Sequence, residues 1–246
     1  MADFFYRKRN KPFFILDVED NFVKGLILKK ENTGLTLLAN SRKDYSDLAT
    51  GMKETIDEAY NKYMLFIDED NLDLSEIPLL LSLPSDILRA KVVSFDFKRN
   101  DNILISKPEE TSLVKRVINK TKYEIGKEFL KDSGILPSDI KYISFKLVKR
   151  NINGYDVRRL FKLNGKELSF ETLGVYLTKE DFNNIRSIVD GLGLHLTKIV
   201  HIAEALADEK ISYPLTLNHI TNLPNNLKKS EYTPTLLMSY YAKEIF

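Results

Sequence analysis

The side chains that could build a metal or catalytic site are few: three histidines, no cysteine and a short acidic run. His195 and His201 share strand parity but lie six residues apart in sequence, about 20 Å along a strand. They cannot grip one ion, and no metal site is expected. Asp68, Glu69 and Asp70, followed by Asp73 and Glu76, are spaced rather like a calcium loop. No glycine follows to make the sharp turn, and Leu72 occupies a ligand position, so a solvated acidic loop is expected instead. The chain has no glycine-rich phosphate loop of either common type, and no serine in a nucleophile-elbow setting. No catalytic residue is therefore assigned.

A second constellation is electrostatic. From Lys141 to Lys166 the chain carries eight Lys/Arg, namely Lys141, Lys146, Lys149, Arg150, Arg158, Arg159, Lys162 and Lys166, against Asp156. Tyr142, Phe145, Tyr155 and Phe161 interleave with them. Such a pattern fits a nucleic-acid strip. It also fits a surface for an acidic protein, or the solvated face of a hairpin whose aromatic residues look into the core. The solvated hairpin is the first reading and the other two stay open.

Composition narrows the classes. The 246 residues are 43% hydrophobic, 11% aromatic and 29% charged, with 37 Lys+Arg against 35 Asp+Glu. That is the make-up of a globular protein with one large domain or two small ones. A net charge of +2 gives no global field toward nucleic acid or membrane. The absence of cysteine excludes a disulfide scaffold, thiolate zinc sites and a cysteine nucleophile, and fits a reducing compartment. The longest charge-free stretch, Ile211 to Leu227, holds Pro214, Pro224 and four asparagines, whereas a membrane span needs about 20 mostly apolar residues. No secretory leader fits the basic N-terminus. A cytoplasmic chain is expected.

The elements that must position any site follow from periodicity. Pro12 to Val18 is an apolar run of buried-strand type. Asn21 to Lys29 continues as a strand in which Lys24 against Val23 begins an in-out alternation, and Leu35 to Ala39 completes an antiparallel meander. Ser46 stands where a helix N-cap would, before Leu48, Met52, Ile56 and Ala59 at helical spacing. Ile77 to Leu83 is too apolar for a wet face and is expected at the centre of a sheet. Three strands, a helix and a buried strand make half of a ribonuclease-H-like α/β unit. A different module follows: a strand over Lys91 to Lys98, then a helix opening at Pro108-Glu109-Glu110 with Val114, Val117, Ile118, Ile125 and Phe129 on its apolar face. Strands are expected over Ile140 to Val148 and as a pair, Arg158 to Leu163 with Leu168 to Leu177, around Asn164-Gly165. Asn153-Gly154 reads as a turn. Asp181 to Gly191 reads as a helix closing at Gly191-Leu192-Gly193, His195 to His201 as a strand, and Ala203 to Ala207 as a helix start. Leu236 to Ala242 is a short apolar helix candidate.

The order of these elements and several short motifs resemble the bacterial actin-like family of FtsA and PilM, used in cell division and type IV pilus assembly. Phe14-Ile-Leu-Asp17-Val-Glu19-Asp20-Asn21-Phe-Val-Lys24-Gly is similar to the family's first phosphate motif, a strand followed by Asp-Ile-Gly-Thr-x-x-Val-Lys. Leu163 to Thr178, then Asn183 to Val200 and the Ala205-Leu206-Ala207 helix, resemble the end of FtsA's SHS2 subdomain and its return to the core sheet. Ile77 to Lys91, with Leu83-Pro84, is closer to PilM. The match runs from residue 13 to about 207.

The resemblance implies a mixed α/β (α+β) fold: an actin-like, ribonuclease-H-like subdomain over 1–88 and 200–246, with an SHS2-like β-α-β insert over 89–199. It also marks departures. Glu19 and Asp20 stand where the family has the glycine and hydroxyl residue that admit and support the phosphates; Asp17 and Lys24 remain in register. The second phosphate motif and the adenosine motif are absent, and no glycine follows Gly193. The expectation is a non-enzymatic adaptor without a cofactor, its phosphate motif degenerate at Asp17, Glu19, Asp20, Asn21 and Lys24. It would bind a protein or peptide, such as a juxtamembrane segment, at the cytoplasmic membrane face. Lys146, Arg150, Arg158 and Arg159 are the expected partner-binding residues, at the junction of first subdomain and insert where PilM's partner docks. Self-association is compatible with this. Nucleic acid is not the expected partner, and the segment from Tyr232 is expected to pack on the first subdomain without entering a membrane. The alternative is an actin-like ATPase completed by a second domain missing from this chain.

Overall fold

A computed structural model of the chain describes residues 12–31, 34–65, 73–100, 102–207, 220–221, 235 and 238. The chain divides into two compact units, Met1–Asp86 with Asn183–Phe246, and Ile87–Phe182. The architecture is mixed α/β.

In the first unit β1 (Pro12–Val18) is buried at every position, as a run of Phe, Ile, Leu and Val demands in the middle of a sheet. It pairs antiparallel with β2 (Phe22–Lys30), which in turn pairs antiparallel with β3 (Leu35–Asp44). Helix α1 (Leu48–Met64) follows. Its N-cap is Asp47, not the expected Ser46: the carboxylate accepts the Thr50 N–H at 2.8 Å and the Thr50 hydroxyl at 2.7 Å. α1 buries Met52, Ile56, Ala59 and Tyr63, the heptad-like face that the sequence spacing announces. β4 (Pro78–Ser82) lies parallel to β1 and, on its other side, parallel to β9 (His195–Ile199). The described strands of this sheet run in the order β10-β3-β2-β1-β4-β9, with β10 (Ile220–Thr221) parallel to β3 at the edge. Three antiparallel strands followed by two parallel to the first is the ribonuclease-H-like order; β4 is flanked on both sides, as its composition requires, but lies one place from the β9 edge and not at the centre. β2 overturns one expectation. It does not alternate in and out, and Lys24 is only 2% exposed.

The second unit is inserted between β4 and β9. β5 (Arg89–Lys98), β8 (Glu167–Thr178), β6 (Ile140–Ile152) and β7 (Tyr155–Asp156) form an antiparallel sheet in that spatial order. Helix α2 (Lys107–Ser133) lies against it. Ser106 caps its start by accepting the Glu109 N–H at 3.3 Å, with Pro108 in the first turn, and Gly134 ends it at φ 73° with its N–H on the Leu130 carbonyl at 2.9 Å. Leu113 and Val117 of the helix pack with Ile105, Ile152, Leu160, Leu168 and Phe170. Ile125 and Phe129 pack with Ile140 and Tyr176. Val114 and Ile118, expected on the buried face, are only half-buried.

The strand pairing of this unit differs from the sequence reading. The partner of β8 is β6, in a register running from Ile140↔Thr178 to Ile152↔Leu168. Arg158 to Leu163 is not a strand. Two tethers hold this stretch as a loop: the Leu160 N–H donates to Glu110 Oε1 at 2.7 Å, and the Lys162 N–H to the Ile105 carbonyl at 3.0 Å. Lys162 itself takes φ 65°, which breaks any extended run. The Asn153-Gly154 turn is where the sequence puts it, with φ 50° and 84°. Helix α3 (Lys179–Gly191) is opened by Thr178, whose hydroxyl accepts the Asp181 N–H at 2.9 Å, and is closed by Gly193 at φ 68°. Helix α4 (Ile202–Leu206) follows β9. Among the described residues no helix is long and apolar enough to cross a membrane.

Candidate functional site

Register brings the family-like motif residues to one corner of the first sheet. Asp17 stands opposite Lys24 on β2 and beside Ser82 on β4, and Lys24 stands opposite Arg42 on β3. Directly paired residues share a sheet face, so Ser82, Asp17, Lys24 and Arg42 form one polar row. β1 and β2 are joined through a tight reversal in which the Glu19 N–H donates to the Phe22 carbonyl at 2.9 Å. Asp20 and Asn21 sit at its tip. Glu19, Asp20 and Asn21 all lack a positive φ, so the reversal does not need the glycine that the resembled pattern carries at the Glu19 position.

The corner's charges are engaged with one another. Lys24 Nζ meets Glu19 Oε1 at 2.5 Å, with Lys24 buried and Glu19 partly exposed. The same ammonium lies 4.8 Å from the Phe22 ring centre, and the Arg42 guanidinium lies 4.4 Å from it. Asp17 is 4% exposed, and its Oδ2 accepts the buried Thr235 hydroxyl at 2.7 Å. Burial pushes the Asp17 carboxyl above its ordinary range. Thr235, the Lys24 charge and Ser82 oppose that rise, while the Glu19 charge adds to it. The backbone of the reversal is engaged as well: the Tyr45 hydroxyl donates to the Glu19 carbonyl at 2.7 Å, and the Tyr45 N–H to the Asn21 carbonyl at 3.0 Å. Burial, with Asp20 and Asp86 nearby, holds the Tyr45 phenol in its neutral form. A phosphate-binding turn works by aiming backbone N–H groups and a free cation at the anion. In this turn the Glu19 N–H faces Phe22 and the Lys24 ammonium faces Glu19.

Thr235 is the residue the sequence could not have supplied. It lies 218 positions from Asp17, in the stretch from Tyr232 expected to pack on this subdomain. Thr235 and Met238, the described members of that stretch, are both helical and buried. The rest of it, and the acidic run at Asp68 to Asp70, lie outside the described residues. Asp73 accepts the Ser75 N–H at 3.0 Å and so caps a single helical turn.

In the second unit the expected partner-binding residues are not brought onto one face. Lys146 stands opposite Leu173, and Arg150 opposite Phe170. Since Phe170 packs under α2, Arg150 points to the helix-covered side and Lys146 to the other. Arg150 Nη1 donates to the Arg158 carbonyl at 2.5 Å. Arg158 and Arg159 are exposed on the loop that follows β7. The aromatic residues of the basic stretch divide likewise: Tyr142 and Phe145 pack toward α2, whereas Tyr155 is exposed. The hairpin reading thus fits Tyr142 and Phe145 and not Tyr155. A further ion pair has no local signal in the sequence. Arg99 forks onto both Glu109 oxygens at 2.8 and 3.1 Å, and its Nη1 donates to the Ile103 and Gly165 carbonyls.

No family model and no curated protein matches the chain. Among solved structures it is similar to the PilM–PilN type IV pilus biogenesis complex, at 11% identity and a TM-score of 0.49, over 78% of this chain and 48% of that one. It is also similar to the cytoplasmic domain of EpsL, an inner membrane component of the type II secretion system of Vibrio cholerae. There the identity is 8% and the TM-score 0.42, over 79% of this chain and 59% of that one. The chain therefore spans about half the length of the first of these structures and 59% of the second.

Proposed function

We propose that the protein is a non-enzymatic adaptor or scaffold of pilus- or division-type machinery, built on the ribonuclease-H-like sheet with the inserted unit read as SHS2-like. It binds a protein partner at the cytoplasmic face of the membrane. One observation supports the absence of nucleotide chemistry above others: the cation and the acid of the phosphate-like motif are each engaged internally, Lys24 with Glu19 and Asp17 with Thr235. An incoming triphosphate would have to break both contacts and face Glu19 and Asp20 besides, and each like charge at short range costs about 1 kcal/mol in water, more where water is excluded.

The protein partner is received along β6. β7 pairs with β6 only at Asn151 and Ile152, so the stretch carrying Lys146 has an edge free of strand neighbours among the described residues. An extended peptide can add there, with its main chain on the edge and its acidic side chains toward the lysines. The test of the whole reading is calorimetry with Mg-ATP. No heat of binding is expected in the micromolar range; micromolar affinity would replace the adaptor with the ATPase completed by a second domain.

A further inference from the structure

We propose that the end of the inserted unit formed by the loop before α2 and the loop after β7 docks on an anionic lipid bilayer. Ile103 and Leu104 enter the headgroup layer, and Arg158, Arg159, Lys162 and Lys166 hold its phosphates. The inference goes beyond the adaptor reading, which names a protein partner and a different edge.

The apolar part is conspicuous because it is consecutive. Ile103 and Leu104 are each 63% exposed, and Tyr155, which opens β7 after the Asn153-Gly154 turn, is 75% exposed. Single exposed apolar residues need no explanation, but an adjacent pair rimmed by charge does. Their exposure is built into the fold. Leu104 bridges to Asn164, the Ile105 N–H donates to the Leu163 carbonyl at 2.8 Å, and the Lys162 N–H returns to the Ile105 carbonyl at 3.0 Å. Arg99 pins both loops at once through the Ile103 carbonyl at 3.0 Å and the Gly165 carbonyl at 2.8 Å. Lys162 accepts a left-handed backbone to complete the arrangement, a conformation that costs a non-glycine residue energy and collects at functional loops.

Charge points the same way. Between Ile87 and Phe182 there are 20 Lys/Arg and 13 Asp/Glu, leaving 17 and 22 in the rest of the chain. The near-neutral total hides a basic insert and an acidic remainder. Around the tip, Arg158, Arg159, Lys162 and Lys166 are all exposed. The acids on the same two loops are Asp156, which lies 3.5 Å from Lys149, and the exposed Glu167. Asp101 falls outside the described residues. Glu109 is committed to Arg99, and Glu110 to the Leu160 N–H.

A bilayer suits this surface better than an acidic peptide. Side chains exposed to this degree stand out from the surface instead of lining a cleft, and a peptide anchor needs a cleft. A fluid interface takes protruding Ile, Leu and Tyr while long Arg and Lys side chains reach up to the phosphates. Each such cation near an anionic leaflet strengthens binding about fivefold.

The experiment is co-sedimentation of the full chain with vesicles of phosphatidylcholine carrying a minority of phosphatidylglycerol, and with vesicles of phosphatidylcholine alone. Binding is expected on the anionic vesicles only, and it should weaken as salt is added. Arg158→Glu with Arg159→Glu should lower the partition coefficient by at least about tenfold. Ile103→Ser with Leu104→Ser should lower it about tenfold with every charge retained. Both pairs are exposed, so circular dichroism and melting temperature should match the parent chain. Failure of the parent chain to bind anionic vesicles overturns the inference. So does a charge-only response, in which the serine pair binds like the parent, or binding of soluble polyglutamate that depends on Ile103 and Leu104 while vesicles are ignored. None of these outcomes touches the calorimetric test of the adaptor reading.

Discussion

The β1–β2 corner and the loop end of the insert use similar residues in opposite ways. At the corner, Asp17 and Lys24 keep a phosphate-motif spacing, yet the fold engages them: Lys24 is 2% exposed and paired with Glu19, and Asp17 holds a hydroxyl from the far end of the chain. At the loop end the cations follow no motif, and they are exposed beside an apolar pair. A charged residue within a sheet row is shut off from water and needs a partner inside the chain, as Lys24 has Glu19 and Asp17 has Thr235. A charged residue on a loop is not, and it stays available to something outside the chain. Motif spacing alone does not distinguish the two situations. Burial does.

The largest effect should come from breaking the corner. Lys24→Ala removes a buried cation, leaves Glu19 without its partner and opens a cavity between β1 and β3. A loss of about 3 kcal/mol in urea denaturation is expected, near the lower end for a broken buried pair because Glu19 can rehydrate. Arg158→Ala in the loop should leave the midpoint unchanged. If the two substitutions cost the same, the contrast between the regions is false.

Two glycines sharpen the same contrast at somewhat smaller cost. A Cβ on Gly25 in β2 would stand 2.7 Å from Ser41 Oγ, 3.0 Å from Thr55 Cγ2 and 3.1 Å from Phe14 Cζ. The Ser41 hydroxyl is not free to yield, since it donates to the Thr55 carbonyl at 2.7 Å. Gly25→Ala should therefore cost about 2 kcal/mol by overpacking. Gly154, at the turn of the insert, has φ 84°, and a methyl group added there would meet nothing within 4 Å. Gly154→Ala should cost about 1 kcal/mol, through backbone conformation alone. Gly154→Asn should recover part of that loss, because asparagine tolerates the left-handed region, whereas Gly25→Asn should be worse than alanine.

The sheet of the first unit was largely legible because hydrophobic runs leave few choices. Seven apolar-rich residues ending in Asp17-Val18 can only be a buried strand, and Pro78 to Ser82 can only lie inside a sheet. What the runs cannot report is the neighbour of a polar residue within them. Alternation points Lys24 outward, yet β2 has sheet on both sides, α1 covers only its Gly25 face, and the Lys24 face is the one where Asp17 meets Thr235, so the ammonium turns to Glu19. The pairing in the insert departs from the sequence pattern for a related reason. Asn164-Gly165 has the composition of a hairpin turn, but Asn153-Gly154 already supplies the reversal, and the loop between them is claimed by Glu110 and Ile105 from across the unit. The same long-range ties fix Ile103 and Leu104 outward, which a local reading of an apolar tripeptide would have buried. Thr235 carried no local signal at all.

Asp17 offers a smaller effect of opposite sign. Its carboxyl is raised above the ordinary 3.8, first by burial. A carboxyl raised in the folded state contributes stability that is complete below 3.8 and is lost as pH rises through the raised value. At neutral pH the ionised group is therefore a net cost to the fold. Asp17→Asn keeps an oxygen to accept the Thr235 hydroxyl and removes the charge, so the melting temperature at neutral pH should rise modestly. The gain should shrink as pH falls and vanish below about 4. If Asp17→Asn instead lowers the melting temperature at neutral pH, the ionised carboxylate is required where it stands, as a nucleotide-site acid would be.

The smallest expected effect separates the units by pH. The three histidines fall at 195, 201 and 219, outside the insert. His201 starts α4: its Nδ1 accepts the Ala203 N–H at 3.0 Å, and Glu204 reaches back to the His201 N–H at 3.0 Å. This is a reciprocal cap in which the imidazole must be neutral at Nδ1 to accept. Burial lowers the imidazole below its ordinary 6.5, against the pull of Glu204. Lys198, 3.7 Å from Glu204, shares that carboxylate and limits its hold on a protonated ring. For a group whose folded value is depressed, the stability is present above the unfolded value and is lost as pH falls through the folded one. Acidification from 7 to 5 should therefore loosen α4 and the end of β9, by on the order of 0.5 kcal/mol for a cap of this kind. Amide hydrogen exchange would register faster opening at Ile202 to Leu206 while α2 and β8 of the insert hold their protection. His201→Asn, which caps without titrating, should abolish the difference between the two pH values. Equal acceleration in both units would mean that acid acts on the chain as a whole, and the cap would have no separate part in it.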